Sequence, residues 1–320
     1  MDCTLWVLAR AGDEGLKKLE RVPAGVRVVV GGTPEAFDGQ PAADVILVCS
    51  MGRELLRAVL PKSPAVRWVH SRSAGVEGIV FPGLAESGVT LTNGRGVFSP
   101  SLAEWVIGAV LYFAKDFRRL VDSQRAGKWD PFPPEMVQGR WMGIVGYGDI
   151  GRAVAARARS LGMRVRALRR RAGEPPGDPV PDEMLPAERL TDLMALSDDI
   201  VVATPLTPQT RGLIGEREIR AMKPTGVLIN VGRGAVIQER PLVDALRARA
   251  IRGAALDVFE TEPLPAGHPF YALDNVLLSP HSADQVPGWL DDAMASFLEN
   301  LDRFLAGQPL HNVVDPRRGY

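Results

Sequence analysis

The sequence predicts an α/β protein built from two doubly wound parallel-sheet domains. Short apolar runs alternate with helix-like segments along the first hundred residues, and the alternation resumes after residue 140. Between the two stretches stands a glycine-rich turn, Gly143-Ile144-Val145-Gly146-Tyr147-Gly148-Asp149-Ile150-Gly151, flanked by a strand-like and a helix-like segment.

In order along the chain, residues 1–8 lack a basic leader and read as a first strand rather than a signal peptide, so cytoplasmic residence is expected. Apolar runs at 26–30, 45–49 and 66–70, with a helical segment at 53–60, continue a small parallel domain. Ser101 and Glu104 form an S-x-x-E capping box ahead of a long helix that runs to about residue 122 and joins the two domains. A proline-bearing loop at 127–139 leads to the strand 141–145, and the helix 152–161 carries Val154, Ala155, Ala158 and Leu161 at helical spacing. The next strand, 163–168, opens into an irregular stretch rich in Pro, Gly and charge before a helix at 190–196. Strands at 200–203, 226–231, 254–258 and 276–279 alternate with helices at 216–222 and 240–250. The last helix, 288–306, gathers Leu290, Met294, Phe297, Leu298, Leu301, Phe304 and Leu305 on one face that must be covered, and Gly307 suits its C-terminal cap.

The glycines have distinct expected tasks. Gly146 permits a tight turn after the strand, Gly148 lets the backbone approach a pyrophosphate, and Gly151 lets the helix lie close to the sheet. The helix start, with Tyr147, Asp149 and Ile150 around it, offers N–H groups and positive potential to phosphates. At the end of the following strand, where an acidic residue would select the ribose 2′-hydroxyl of NAD, stand Arg169, Arg170 and Arg171. Arginine there suits the 2′-phosphate, so NADP(H) is expected over NAD(H), with Arg169 and Arg170 as contacts.

Composition excludes several classes. The 320 residues are 46% hydrophobic and 24% charged, as in a globular protein with no membrane span. Lys plus Arg and Asp plus Glu are both 38, which provides no global field for nucleic acid. Cys3 and Cys49 are too few for a disulfide framework and are not spaced as a metal site, so no metal is expected.

Of the four histidines, His70, His268 and His311 read as structural. His281 follows Ser279-Pro280 at the C-terminal end of a strand, the edge where open α/β sheets bind ligands. Arg233 in Val231-Gly232-Arg233-Gly234, Asp257 and Glu262 are expected at that same edge.

In their order, the glycine turn, Thr204-Pro205-Leu206-Thr207-Pro208-Gln209-Thr210, Asn230-Val231-Gly232-Arg233-Gly234, Ala255-Leu256-Asp257-Val258-Phe259 and Pro280-His281 resemble the D-2-hydroxyacid dehydrogenase family over essentially the whole chain. The resemblance implies a Rossmann cofactor domain, residues 99–287, inserted in a flavodoxin-like substrate domain made of 1–98 and 288–320. It implies a homodimer to which the helix near Ser101 contributes. It also implies a catalytic group of Arg233, Glu262 and His281, with Asp257 at the nicotinamide and Thr204, Pro205, Val231 and Gly232 lining the cofactor cleft. In the matching turn Ser73-Ala74-Gly75-Val76-Glu77-Gly78, the N–H groups of Ala74, Gly75 and Val76 would hold a substrate carboxylate, with Met51 and Gly52 as a second wall. The chemistry is coherent: Arg233 binds the carboxylate and polarises the ketone of a 2-oxo acid, His281 gives the proton, and Glu262 orients the imidazole and favours its charged form. Glyoxylate, hydroxypyruvate or a larger 2-oxo acid is the expected substrate. Glutamate at 262, where formate dehydrogenases of the family have glutamine, argues against formate, while Ser282-Ala283-Asp284-Gln285 departs from the small-residue and threonine pattern often seen after the histidine. A phosphoglycerate dehydrogenase-like enzyme and a dinucleotide-sensing protein akin to the related corepressors are the alternatives.

Overall fold

The computed structural model describes residues 3–169 and 179–319. The chain forms two compact units, Met1–Phe98 with Pro287–Tyr320, and Ser99–Val286. The first contains β1 (Cys3–Leu8), β2 (Val26–Gly31), β3 (Val45–Val48), α1 (Arg53–Val59), β4 (Trp68–Ser71), α2 (Pro82–Glu86) and β5 (Thr90–Asn93). The second contains α3 (Ser99–Ala114), α4 (Phe117–Arg125), β6 (Trp141–Val145), α5 (Asp149–Ser160), β7 (Arg164–Leu168), β8 (Glu183–Leu185), α6 (Leu190–Leu196), β9 (Asp199–Val202), α7 (Glu216–Ala221), β10 (Val227–Asn230), α8 (Glu239–Arg247), β11 (Gly253–Leu256) and β12 (Val276–Leu278). The chain then returns to the first unit as α9 (Trp289–Leu305) and β13 (Val313–Val314).

The first sheet has the order β13-β5-β4-β3-β1-β2, parallel except for β13, which pairs antiparallel with β5 through Val314 and Leu91. Because successive side chains point to opposite faces, each strand supplies two cores. Trp6, Leu8, Ile46, Val48 and Val69 meet Leu55, Leu56 and Val59 of α1 on one face. Leu5, Val7, Val45, Leu47 and Trp68 meet Met294, Phe297, Leu298 and Leu301 of α9 on the other, where Trp68 stacks on Phe297 with ring centroids 5.4 Å apart. The apolar face of the last helix is therefore covered by this sheet.

The second sheet has the order β12-β11-β10-β9-β6-β7-β8 and is parallel throughout. Strand order reverses on either side of β6, where Ile144 lies between Ala167 of β7 and Val201 of β9. That reversal opens a crevice beyond the C-terminal ends of β6 and β9.

The long joining helix differs from the sequence expectation in two ways. It begins at Ser99, so Ser101 lies in its first turn instead of capping it; the Ser101 hydroxyl donates to the Ala283 carbonyl at 2.5 Å, and Glu104 reaches Arg157 at 3.2 Å. Pro100 permits the earlier start, because a proline in the first helical turn gives up an N–H that has no intrahelical acceptor. The helix also breaks at Asp116, whose φ of 48° is left-handed and whose carboxylate accepts from Arg119 N–H to cap α4.

At the N-terminal edge of the second sheet, the Arg140 guanidinium grips the buried Asp199 carboxylate through Nε at 3.1 Å and Nη2 at 3.0 Å, and its Nη1 reaches Glu135 at 2.8 Å. Burial pushes Asp199 up from 3.8 to about 6, against the pull of Arg140. The folded chain thus keeps this proton longer than the unfolded chain, and the group takes stability away as pH rises through that window. Arg140→Ala leaves the carboxylate buried without its partner and should cost about 3 kcal/mol at pH 7. Urea denaturation should show a smaller loss at pH 5, where Asp199 is protonated; an equal loss at both pH values would contradict the account.

Candidate active site

The candidate site of the second unit is assembled from the turns and loops that leave the strands at the C-terminal edge of its sheet. After β6, Gly146 has a φ of 102°, and a Cβ there would lie 2.9 Å from the Ala203 carbonyl. A Cβ on Gly151 would stand 2.5 Å from the Gly146 carbonyl oxygen, so the approach of α5 to the turn requires glycine. Gly148 faces open space, with nothing within 4 Å of a built Cβ, and it caps α5 without a side-chain bond. Among the described residues no side chain caps the first turn of α5, the arrangement in which a helix N-terminus meets an anion. Tyr147 is 2% exposed and its hydroxyl donates to the Pro179 carbonyl, so the side chain is turned inward. Asp149 opens α5 and pairs with Arg152, and Ile150 is half-buried beside it.

Arg169 directly follows β7, half-buried, with its N–H donating to the Leu185 carbonyl at 3.4 Å. Arg170 lies outside the described residues. After β9, the Thr204 hydroxyl is buried without a hydrogen-bond partner among the described residues, an arrangement that a bound polar ligand would satisfy. The neighbouring Pro205 carbonyl accepts from the Thr210 hydroxyl at 2.6 Å, which braces the loop.

After β10, Asn230 staples the next turn: Oδ1 accepts from Gly232 N–H at 3.0 Å, and Nδ2 donates to the Arg233 carbonyl at 3.1 Å. Val231 is buried, and a Cβ on Gly234 would fall 1.8 Å from the Phe259 carbonyl carbon. Arg233 between them is half-buried and its Nη1 donates to the Gly232 carbonyl at 2.7 Å.

Asp257 follows β11 and is 1% exposed. Its Oδ1 accepts from the Ser279 hydroxyl at 2.6 Å and from the N–H groups of Ser282 at 3.0 Å and Ala283 at 3.1 Å. Its carbonyl accepts from His281 N–H at 2.8 Å, and His281 itself has a left-handed φ of 53°. The imidazole Nδ1 lies 2.7 Å from Glu262 Oε2, while Oε1 of the same carboxylate accepts from Phe259 N–H at 2.9 Å. Among the described residues Nε2 has no protein partner, so the ring is fixed at one nitrogen and free at the other. Asp284 lies in the turn after His281; burial foremost raises its carboxyl above the usual range, the Asp257 charge adds to this, and the charges of His281 and Arg233 oppose it.

In the first unit, the turn after β4 presents Ala74, Gly75 and Val76. Among the described hydrogen bonds their three N–H groups have no protein acceptor, which is the requirement for a backbone anion site. Met51 is half-buried against the core after β3, and Gly52 caps α1.

The remaining candidates separate cleanly. His70 is fully buried, with Nδ1 2.7 Å from the Thr92 hydroxyl, and burial pushes its pKa down to about 3. His268 accepts from Phe270 N–H at 3.3 Å, and His311 is exposed 3.5 Å from Glu299. Burial pushes the Cys49 thiol up to about 12, which leaves no thiolate for chemistry. Among the described residues no group of three or more His, Cys, Asp or Glu could hold a metal, and no helix is long and apolar enough to cross a membrane. Sequence reasoning passed over Ser279, Ser282 and Asn230 as parts of the site, although each stands beside a residue that it did select.

Residues 107–283 match the family described as D-isomer specific 2-hydroxyacid dehydrogenase, NAD binding domain. The chain belongs to that family. It is an NAD(P)-dependent oxidoreductase, and its relatives share more than the cofactor unit. A glyoxylate/hydroxypyruvate reductase B of Pectobacterium atrosepticum is 33% identical over 293 residues, 88% of this chain and 89% of that protein. A D-3-phosphoglycerate dehydrogenase of Methanocaldococcus jannaschii is 32% identical over 310 residues, 95% of this chain, yet the chain spans only 57% of its length. Among solved structures, a D-isomer specific 2-hydroxyacid dehydrogenase from Xanthobacter autotrophicus Py2, in complex with NADPH and MES, is 30% identical and superposes with a TM-score of 0.82 over 100% of both chains.

The glycine geometry separates binding from folding. Gly148→Ala should leave the melting temperature within about 2 °C and weaken dinucleotide binding at least tenfold, whereas Gly151→Ala should destabilise the fold by about 1–3 kcal/mol through overpacking. Thermal melts alongside cofactor titration by fluorescence check both; equal effects on the two readouts would refute the division.

Proposed function

We propose that the protein reduces a 2-oxo acid to a D-2-hydroxy acid with NADPH. The His281–Glu262 pair, seated at the strand-end edge with Nε2 left open, carries this reading. NADPH, when bound, would supply the hydride to C2, and its binding here is supported by the open face of Gly148, the Thr204 hydroxyl unpaired among the described residues and the place of Arg169. Gly146 to Gly151, with Tyr147 acting through its backbone, would hold the pyrophosphate. Arg169 would meet the 2′-phosphate, and NAD(H) is the lesser cofactor. Thr204, Pro205, Val231 and Gly232 line the nicotinamide side, and Asp257 offers the carboxamide its second carboxylate oxygen.

Arg233 binds the substrate carboxylate and draws electron density toward the ketone oxygen. As the C=O π bond opens, that oxygen takes the proton from His281 Nε2, and the imidazole is reprotonated from water. Glu262 at Nδ1 keeps the ring in place through the proton transfer. The N–H groups of Ala74, Gly75 and Val76 hold the substrate carboxylate, with Met51 and Gly52 beside them. Glyoxylate and hydroxypyruvate are the first candidate substrates, after the name of the Pectobacterium relative.

A homodimer is part of the same proposal. Phe117, Leu120 and Val121 of α4 are 42%, 47% and 42% exposed, and Trp129 in the following loop is 96% exposed, an apolar surface that a second copy would cover. Light scattering behind size exclusion should return twice the chain mass, and Trp129→Glu with Leu120→Glu should shift it toward the monomer.

Stopped-flow and steady-state assays of NADPH oxidation with a panel of 2-oxo acids test the activity. His281→Ala should lower kcat by about 10²–10⁴-fold while NADPH still quenches protein fluorescence with unchanged affinity. Arg169→Asp should reverse or reduce the NADPH preference by at least about tenfold. No turnover of any 2-oxo acid by the wild type, with NADPH bound, would overturn the reading.

A further inference from the structure

Two of the three N–H groups of the turn after β4, those of Ala74 and Gly75, follow carbonyls that are held elsewhere. Ser73 O accepts from Gly94 N–H at 3.1 Å, and Ala74 O accepts from Asn93 Nδ2 at 2.5 Å. Beyond the turn, Glu77 O accepts from the Arg53 guanidinium at 2.5 Å, and Gly78 O accepts from Arg53 N–H at 3.0 Å. In a trans peptide the C=O and the following N–H point in opposite directions. Fixing Ser73 O therefore sets the direction of Ala74 N–H, and fixing Ala74 O sets that of Gly75 N–H.

Asn93 is suited to this by both ends of its amide. It is 6% exposed, its Nδ2 donates to Ala74, and its Oδ1 accepts from Arg95 N–H at 3.3 Å. The Arg95 carbonyl in turn accepts from Asn312 Nδ2 at 2.8 Å, and the Asn312 carbonyl accepts from Asn93 N–H at 3.3 Å. A buried amide with a donor and an acceptor both engaged has one orientation, and so has the peptide it grips. Close passage of the two strands' ends adds to the constraint: a Cβ on Gly94 would lie 2.4 Å from the Arg72 carbonyl oxygen.

We propose that Asn93 is the positioning residue of the substrate-carboxylate turn, with Arg53 securing its far end. Neither touches a reacting atom. Asn93 keeps the 74–75 peptide plane from turning its carbonyl oxygen, in place of its N–H, toward the bound anion, where it would repel a carboxylate, and Arg53 anchors the chain where it leaves the turn. The proposal rests on the reading of Ala74 to Val76 as the carboxylate subsite, and it adds that recognition there depends on an asparagine that the substrate never meets.

The test compares wild type with Asn93→Ala, Arg53→Ala and Arg53→Lys in the full chain, using glyoxylate and, as a probe without a carboxylate, methylglyoxal. Asn93→Ala should raise KM for glyoxylate about tenfold with kcat within about twofold, the signature of lost uniform binding. The NADPH dissociation constant and the activity toward methylglyoxal, at whatever level the wild type shows, should stay within about twofold. Arg53→Ala, at an exposed position that a folded chain tolerates, should give a smaller rise in the same sense, and Arg53→Lys should restore most of it. If Asn93→Ala does not fold, the Arg53 pair decides alone. An unchanged KM for glyoxylate in the folded variants overturns the proposal, as does a parallel loss of kcat, NADPH affinity and melting temperature. Failure of the underlying functional reading would look different, because the wild type itself would then show no glyoxylate turnover.

Discussion

One buried carboxylate oxygen, Oδ1 of Asp257, holds together the loop on which the candidate chemistry depends. It collects the Ser279 hydroxyl and the N–H groups of Ser282 and Ala283, and the Asp257 carbonyl takes His281 N–H. Bonds to an ionised acceptor are roughly twice as strong as neutral ones. They are needed here, because His281 must be held in a left-handed backbone conformation that an L-residue adopts at a cost. Strand β11 thereby positions a histidine that belongs to the loop after β12. Ser101 adds a tie from α3 by donating to Ala283, and the Gln285 side chain donates to the His281 carbonyl at 2.8 Å. The imidazole then needs only Glu262 to fix its plane. In this loop, structural bonds occupy the backbone and the inner carboxylate oxygen, and the ring nitrogen that faces away is left unengaged.

The same division of labour recurs in the glycines. Gly146, Gly151 and Gly234 are each demanded by a neighbour that a Cβ would strike, while Gly148 has no neighbour at all. Gly148 heads α5 without a side-chain cap and with open space around it, so its lack of a side chain leaves room there that the packing does not demand. That is the physical content behind a glycine pattern that by itself would be a weak signal.

Much of this was legible in the sequence. The α6 bounds, the strand beginning the cofactor unit and the apolar face of α9 follow from periodicity, because each buries a stripe or a run that has no other use. The placement of the candidate residues just after the strands of the second sheet was legible from their order in the sequence. Three things were not. The break at Asp116 was hidden because a single left-handed residue leaves no trace in a helical pattern, and an aspartate can be either cap or surface charge. Strand β8 was hidden in a charged stretch because it is held by an ion pair, Arg166 to Glu183 at 2.6 Å, as much as by apolar burial. The Asn93 clamp was hidden because it acts on the backbone of a turn nineteen residues away, and a hydrogen bond to a distant carbonyl has no sequence period.

Charge balance decides how an anion can be recognised by this chain. In the second unit the carboxyl of Asp284 feels Arg233 and His281 as attraction and Asp257 as repulsion, and Glu262 adds a further carboxylate beside His281. Such a set has no surplus of positive charge with which to collect anions from a distance, and the chain as a whole has none either, with 38 basic and 38 acidic residues. A carboxylate substrate must then be recognised by short, directed contacts instead of by field. In the proposed reading Arg233 would supply one such contact, and backbone N–H groups are donors of the same directed kind. Backbone donors carry no net charge and depend wholly on orientation, so their value is set by whatever fixes the peptide planes. An uncharged asparagine with both amide ends engaged fixes the peptide plane it grips without adding an ion, and under the proposed function the discrimination of a 2-oxo acid from a neutral ketone would fall on that turn.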